Sequence, residues 1–204
     1  MRLFVALDIE EGIRQKIVRF IDSVREFGPD VRWVKPELLH VTLKFIGERG
    51  DPEEIKQALS KISSTFFDIT FCGYGFFPNP KSARVFWVGI ESGPQLTNLA
   101  KSVDEILIPL GIAKETHTFS PHLTLARAGS GRPARDKKDR PNRNFQRLQE
   151  KLHALPAPEF GTMTARGFFL YQSQLGPNGS RYTKIANFVL LMPASQTCIP
   201  FQPF

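Results

Sequence analysis

The chain has 204 residues, 41% apolar and 23% charged, which is long enough for one large domain or two small lobes with apolar cores. Its formal charge of +7 favours a polyanionic partner such as nucleic acid or a phosphorylated ligand, although many cytosolic proteins are also basic. Cys72 and Cys198 fit neither a disulfide framework nor a metal-binding spacing. The N-terminal apolar stretch is too short for a signal peptide or a membrane span, so we expect a soluble cytoplasmic protein.

The first quarter of the chain predicts a strand, a helix, a second strand and a second helix. Residues 2–9 are a β-rich run, and apolar residues from Ile9 to Phe27 then recur every three to four positions, as in an amphipathic helix. Residues 38–46 predict the second strand. Residues 51–54, which read Asp-Pro-Glu-Glu, have the composition of a helix start.

Two strands, a helix and another strand follow. The strands are predicted over 67–77 and 84–91, the helix over 94–109 and the last strand over 119–127. Residues 128–144 then hold Gly, Pro and a dense group of Arg and Lys residues. This composition predicts a loop that is either simply solvated or steers an RNA backbone toward a site.

The last part of the chain repeats the same kinds of element. Phe145, Leu148 and Leu152 predict a fourth helix, and two long strands are predicted over 159–173 and 181–192. Strands and helices thus alternate in a similar order twice, which indicates an internal duplication. Each half would need a sheet covered by two helices on one face, and the other face would be free to line a cleft.

One tetrapeptide occurs twice, as His40-Val41-Thr42-Leu43 and as His122-Leu123-Thr124-Leu125. Side chains two positions apart in a strand point to the same face, so each histidine shares a face with its threonine. One such copy is commonly structural, but two copies in similar contexts favour a functional site. Two of these strands side by side would place two imidazoles and two hydroxyls around one small anion.

Paired histidines can act together as general acid and general base, because their ordinary pKa values lie near ~6.5. Thr42 and Thr124 can donate hydrogen bonds to phosphoryl oxygens. No carboxylates stand at metal-ligand spacing near either motif, so we expect neither a metal nor another cofactor. The reaction that fits these groups is the opening of a cyclic phosphodiester.

The two motifs and their surroundings resemble the 2H phosphoesterase superfamily, and within it the LigT-like RNA 2′,3′-cyclic phosphodiesterases, first described as 2′-5′ RNA ligases. The resemblance extends over nearly the whole chain. It includes residues 2–7, 33–47, 120–127, 170–173, 175–176 and 181–182.

This resemblance implies an α+β fold of two pseudo-symmetric lobes, each an antiparallel-rich sheet with two helices on its outer face, around a central cleft. Here a single bilobal domain would span residues 1–192, followed by a C-terminal tail over 193–204. The resemblance also implies hydrolysis of an RNA 2′,3′-cyclic phosphate to a 2′-phosphate without a metal or nucleotide cofactor, with reversible 2′-5′ RNA ligation as a side activity.

Carried onto this chain, the resemblance implies that His40 and His122 are catalytic and that Thr42 and Thr124 bind phosphate. We predict that His122 is the base for the attacking water and His40 the acid for the leaving 3′ oxygen. The pseudo-symmetry of the lobes leaves the opposite roles open.

The fifth residue after each histidine is Phe45 in the first copy and Arg127 in the second. In the family, similar positions hold an aromatic residue that stacks on a base and an arginine that contacts the phosphate. An odd offset points away from the histidine face, so each must lie where its strand bulges, twists or ends. Phe45 fits core packing as well as base stacking, whereas Arg127 favours phosphate binding because a basic residue facing a core would need a partner.

The expected partner is an RNA end with a 2′,3′-cyclic phosphate, such as a tRNA fragment, bound by a monomer away from membranes. Two alternatives stay open. One is a phosphodiesterase that acts on small cyclic nucleotides or on ADP-ribose cyclic phosphate. The other is an RNA-binding module without catalysis.

Overall fold

Nine antiparallel strands form the sheet of the computed structural model, which describes residues 1–129, 145–176 and 179–192. The strands are β1 (Arg2–Leu7), β2 (Val31–Trp33), β3 (Val41–Glu48), β4 (Phe67–Phe77), β5 (Val85–Ser92), β6 (His122–Ala128), β7 (Glu159–Ala165), β8 (Gly167–Gly176) and β9 (Gly179–Val189). The helices of this part of the chain are α1 (Glu11–Val24), α2 (Glu53–Leu59), α3 (Pro94–Leu107) and α4 (Gln146–His153).

The two motif strands, β3 and β6, lie side by side at the centre of the sheet. The strand order is β7-β4-β5-β6-β3-β1-β8-β9, and β2 pairs with the far end of β6. One registered pair, Val41 with Leu123, joins the two halves into a continuous sheet. The predicted α+β class with antiparallel halves is therefore confirmed, and the two predicted sheets form one.

The helices pack in two pairs against one face of this sheet. Helix α1 packs on α4 and β7, and α3 packs on α2, β3 and β4. The amphipathic period of α1 explains its placement, since Ile13, Ile17 and Ile21 are all buried in the main core. Because α1 follows β1 but packs on β7, and α3 follows β5 but packs on β3, these two helices tie the halves of the sheet together.

Strand β1 shows how the two faces of the sheet differ. Leu3, Val5 and Leu7 belong to the main core under the helices. The alternate residues Phe4 and Ala6 belong to a separate small cluster on the opposite face. That opposite face carries the candidate site.

The prediction of one strand over 159–173 is wrong. This segment forms two strands at different places in the sheet, because β7 pairs with β4 and β8 pairs with β1. The break falls at Arg166, between Ala165 and Gly167. The alternation of side chains changes phase at the break, because the buried positions are Met163 and Ala165 before it and Phe168 and Leu170 after it. The prediction of a single strand did not use this change of phase. The three-residue strand β2 was also missed, since three residues carry no period.

Most of the predicted basic loop, residues 130–144, and the predicted tail, 193–204, lie outside the described residues. Within the described ranges, no helix has the length and apolar character needed to cross a membrane.

Lys44 is a buried cation on the helix side of β3. Its side chain is 2% exposed, and its Nζ lies 2.6 Å from Asp104 Oδ1 on α3. The ammonium also donates to the Ala113 carbonyl at 2.7 Å and lies 3.3 Å from the exposed carboxylate of Glu115. Burial of Asp104 acts to raise the pKa of its carboxyl, but the hydrogen bonds from Lys44 and the Glu115 backbone N–H lower it below the ordinary value. The pair anchors β3 to α3.

We predict that Asp104→Ala lowers the free energy of unfolding by about 3 kcal/mol, because it leaves a buried ammonium without its main counter-charge. Urea denaturation at neutral pH measures this loss. The control variant Glu115→Ala removes only the exposed partner and should cost less than about 1 kcal/mol. Equal losses in the two variants would show that the buried pair does not anchor the strand.

Candidate active site

The Val41–Leu123 pair sets the geometry of the site. Extending this antiparallel register by one residue in each direction places His40 opposite Thr124 and Thr42 opposite His122. Directly opposed residues point to the same face, so all four side chains share the face away from the helices. The two histidines are diagonal neighbours, whose Cβ atoms in an antiparallel pair lie about 7–8 Å apart. For side chains as long as histidine, such a diagonal position brings both imidazoles toward the same part of this face.

Burial along the motif strands agrees with this arrangement. Val41 and Leu123 are fully buried in the main core, whereas the two histidines and two threonines are half-buried. Each motif thus uses its apolar residues to fix the strand on the core and leaves its polar residues on the face away from the helices.

Each motif strand contains a β-bulge at the same position. In β3, Thr42 pairs with Ala6 but Lys44 pairs with Val5, so Leu43 is an extra residue. In β6, Thr124 pairs with Trp87 but Ala126 pairs with Phe86, so Leu125 is extra in the same way. The extra residue reverses the side-chain parity after each threonine.

The bulges bring Phe45 and Arg127 to the same face as the histidines. Strand parity allowed this position only if each strand bulges, twists or ends before the fifth residue. Phe45 pairs with Phe4 and is 58% exposed, so the alternative of core packing is wrong. Arg127 is exposed at the end of β6 and forms no ion pair with any described residue. Arg32 on β2 lies directly opposite Arg127. Like charges that face each other repel, so this end of the site favours an anion.

Both imidazoles are held by the same backbone contact. His40 Nδ1 lies 2.7 Å from the Leu38 carbonyl, and His122 Nδ1 lies 2.7 Å from the Ser120 carbonyl. A carbonyl oxygen can only accept, so Nδ1 donates in each ring and carries the proton. In the neutral form, Nε2 of each histidine is then the free nitrogen that can take up or release a proton.

Aromatic side chains from β1 and β9 pack around His40, and aromatic side chains from β4 and β5 pack around His122. The His40 ring centroid lies 4.9 Å from Phe4 and 5.4 Å from Tyr182. The His122 ring lies 4.9 Å from Phe77 and 6.2 Å from Trp87. Sequence reasoning missed Phe4, Phe77 and Trp87, although the period of two in β1 and β5 was available as a signal for the face they share.

The pKa values of both histidines are lowered. For His40 the main cause is burial, which the hydrogen bond to Leu38 opposes, and the charge of Arg127 lowers the pKa further. For His122 burial again comes first, with Arg127 adding to it. Asp8 acts in the raising direction on His40, whereas the causes found for His122 include no carboxylate. The free protein therefore holds both rings neutral to a lower pH than an ordinary histidine.

An open cleft of about 580 Å³ leads away from His40 and is lined by both strands of the β8–β9 hairpin. Beside it, Asp8 accepts from Arg14 at 2.8 Å and from Lys184. Arg14 also donates to the carbonyls of Pro36 and Leu39, which flank the carbonyl that holds His40. Arg14 thereby fixes the backbone that orients the His40 ring. Among the described residues, no three His, Cys, Asp or Glu side chains group as metal ligands would.

Comparison with known proteins shows the family of the chain. The family model described as LigT like Phosphoesterase matches the chain over residues 7–87 and again over 88–182. Each match contains one copy of the His-x-Thr motif. The chain belongs to the LigT-like phosphoesterase family. The two successive matches also agree with the internal duplication predicted from the order of the elements.

Curated relatives of this LigT-like phosphoesterase cover almost the whole chain. A protein of Archaeoglobus fulgidus named RNA 2′,3′-cyclic phosphodiesterase is 36% identical over 92% of this chain and 99% of its own length. One of Methanothermobacter thermautotrophicus with the same name is 32% identical over 93% and 99%.

Solved structures share the fold. A Thermus thermophilus protein superposes with a TM-score of 0.74 at 29% identity, covering 95% of this chain and 100% of that one. Escherichia coli LigT in its apo form gives 0.71 at 26% identity, covering 94% and 98%.

We predict that His40 and His122 of this LigT-like phosphoesterase both titrate below the ordinary histidine pKa of about 6.5 in the free protein. A lowered pKa means that protonation occurs at a more acidic pH. Inorganic phosphate between the rings should raise both values, since an anion favours the imidazolium. Nitrogen-15 NMR titration, with signals assigned through His40→Gln and His122→Gln, measures the shift. An imidazole pKa above about 6.5 without phosphate, or a pKa that phosphate does not raise, would contradict the electrostatic effects described for the site.

Proposed function

We propose that this LigT-like phosphoesterase hydrolyses the 2′,3′-cyclic phosphate at an RNA end to a 2′-phosphate, without a metal ion. The observation that carries the proposal is the antiparallel opposition of the two His-Thr pairs across Val41 and Leu123. The names of its curated relatives point to the same reaction. Two imidazoles with free Nε2 atoms supply both proton transfers that the hydrolysis needs.

In the proposed reaction, His122 Nε2 removes a proton from a water molecule, and the water oxygen forms a bond to phosphorus. The bond between phosphorus and the 3′ oxygen breaks, and the His40 imidazolium gives its proton to that oxygen. His122 is left protonated and His40 neutral, and exchange with solvent restores both. Thr42, Thr124 and Arg127 donate hydrogen bonds to the non-bridging oxygens, where negative charge is held in the transition state.

The surroundings of the rings support this division of roles. Asp8 acts to raise the pKa of His40, while the nearby guanidinium of Arg127 disfavours the imidazolium in both rings. Asp8 is thus a carboxylate that favours the imidazolium of His40, with no counterpart among the causes acting on His122, and this difference supports His40 as the acid even though burial lowers the pKa of both rings. Binding of the anionic substrate supplies the further stabilisation that the imidazolium needs.

The same geometry serves 2′-5′ ligation. A 5′ hydroxyl in place of water gives its proton to His122 and attacks the same phosphorus atom, and the 3′ oxygen again leaves with a proton from His40. Because no other group changes role, ligation and hydrolysis differ only in which nucleophile occupies the site.

A second candidate is hydrolysis of small cyclic phosphates, such as a cyclic mononucleotide or ADP-ribose cyclic phosphate. Escherichia coli LigT in complex with 3′-AMP has the same fold, with a TM-score of 0.72 at 26% identity, covering 93% of this chain and 97% of that one. A site that accepts one nucleotide would suit these substrates too. A binding module without catalysis fits less well, because both motifs are complete.

We predict that, with EDTA present, the protein converts RNA ending in a 2′,3′-cyclic phosphate into product bearing a 2′-phosphate. His40→Ala and His122→Ala should each lower kcat by about 10²–10⁴-fold, the usual contribution of a positioned acid or base. Chromatography that separates the 2′- and 3′-phosphate isomers measures the product. His117→Ala is the matched control, because His117 is exposed and bonded only locally, to Thr116. A 3′-phosphate product, loss of turnover in EDTA, or histidine variants as active as the control would count against the mechanism.

A further inference from the structure

A second cleft continues from the one beside His40. It encloses about 880 Å³ between residues 35–38 and the ends of β8 and β9. The two clefts share Glu37, Leu38, Arg181 and Tyr182, so they form one channel from the catalytic centre to the hairpin. The second part alone lies within the range of about 300–1,000 Å³ that is usual for small-molecule sites.

The cations of the two clefts differ in their partners. Arg14 and Lys184 in the first cleft are both bonded to Asp8. Lys35, which lines the second cleft, and Arg181, which lines both, are exposed and form no side-chain hydrogen bond or ion pair with the described residues. Exposed Glu37 also lines this cleft, which leaves one net positive charge among these three side chains. Cations without a counter-charge are what a phosphate-binding groove requires.

The hairpin adds apolar surface next to these cations. Tyr182 packs edge-on against His40 and lies opposite Ser173 in the β8–β9 register. Leu175 is two residues beyond Ser173 on the same face and is 76% exposed. An aromatic ring and an exposed aliphatic side chain beside cations give a base a surface to pack on while its phosphate is held.

The proposed role of His40 as the acid determines which part of the substrate lies next to this channel. His40 protonates the leaving 3′ oxygen, so the ribose that carries this oxygen lies on the His40 side. An RNA strand continues from the 5′ carbon of that ribose through the preceding phosphodiester. The channel that begins at His40 is therefore in position to receive the strand, while the attacking water approaches from the His122 side.

We propose that the cleft between residues 35–38 and the β8–β9 hairpin binds the nucleotide that precedes the cyclic-phosphate end of an RNA strand, with Lys35 and Arg181 on its phosphate. This inference rests on the proposed function and narrows its substrate class. An oligonucleotide gains contacts in this cleft that a cyclic mononucleotide cannot make, so it is the better substrate.

The test compares an RNA oligonucleotide and a cyclic mononucleotide, both ending in a 2′,3′-cyclic phosphate. The double variant Lys35→Ala/Arg181→Ala should lower kcat/KM for the oligonucleotide by about tenfold or more at low salt, and leave the mononucleotide unchanged. Fluorescence anisotropy with an oligonucleotide ending in a 2′-phosphate adds a second measurement. The magnitude of the slope of log affinity against log salt should fall by about 0.7, since both cations contact one phosphate and each neutralised phosphate of a single strand contributes about 0.7.

Arg19→Ala/Lys61→Ala is the matched control. It removes the same two residue types and the same charge from exposed positions on α1 and just after α2, away from the cleft. The inference is overturned if both substrates are hydrolysed but the oligonucleotide has no advantage, or if the two double variants behave alike; the proposed function would then still stand. Failure of the wild-type protein to hydrolyse either substrate would overturn the proposed function and this inference with it.

Discussion

One backbone pairing, between Val41 and Leu123, determines the site. Two antiparallel strands are related by a local two-fold axis perpendicular to the sheet. The same His-x-Thr motif lies on both strands, and the axis passes between Val41 and Leu123, the middle residues of the two copies. Each histidine therefore lies opposite the threonine of the other strand. A duplicated motif thus brings four polar side chains to one face through a single register, which is the arrangement proposed to bind the phosphoryl group. A shift of that register by one residue would send one motif into the core.

The chemistry depends on where this symmetry is broken. The fifth residue after the histidine is an aromatic side chain in β3 and a guanidinium in β6, although the same bulge presents both. Asp8, Arg14 and Lys184 lie beside His40, whereas Arg127 and Arg32 lie toward the end of β6. The residue after the bulge in β3 is the buried Lys44, which forms an ion pair with Asp104 on α3. The corresponding residue in β6 is the buried Ala126. In the proposed reaction, the half around His40 receives the nucleoside and the half around His122 receives the nucleophile, and these differences agree with that division.

The sequence was sufficient for the repeated motif, the face that His and Thr share, and the α+β class, since each follows from local periods. Strand parity also required a bulge or similar irregularity before Phe45 or Arg127 could reach the site, and both strands contain that bulge. Three other features depend on which strands become neighbours. They are the change of strand partner at Arg166, the packing of aromatic side chains from β1, β4 and β5 around the histidines, and the hydrogen bonds of Arg14 to the backbone next to His40. A local period can show which face a side chain takes or where a strand is interrupted, but not which strands become its neighbours.

The most direct test of the central claim, that both His-Thr pairs hold one phosphoryl group, is a crystal structure with a bound nucleoside 2′-phosphate. The predicted result is a phosphate with Nε2 of both His40 and His122 within hydrogen-bond distance, about 3 Å, and both threonine hydroxyls on its oxygens. A phosphate bound to only one half, or Nε2 atoms too far apart to reach the same phosphate, would contradict the claim.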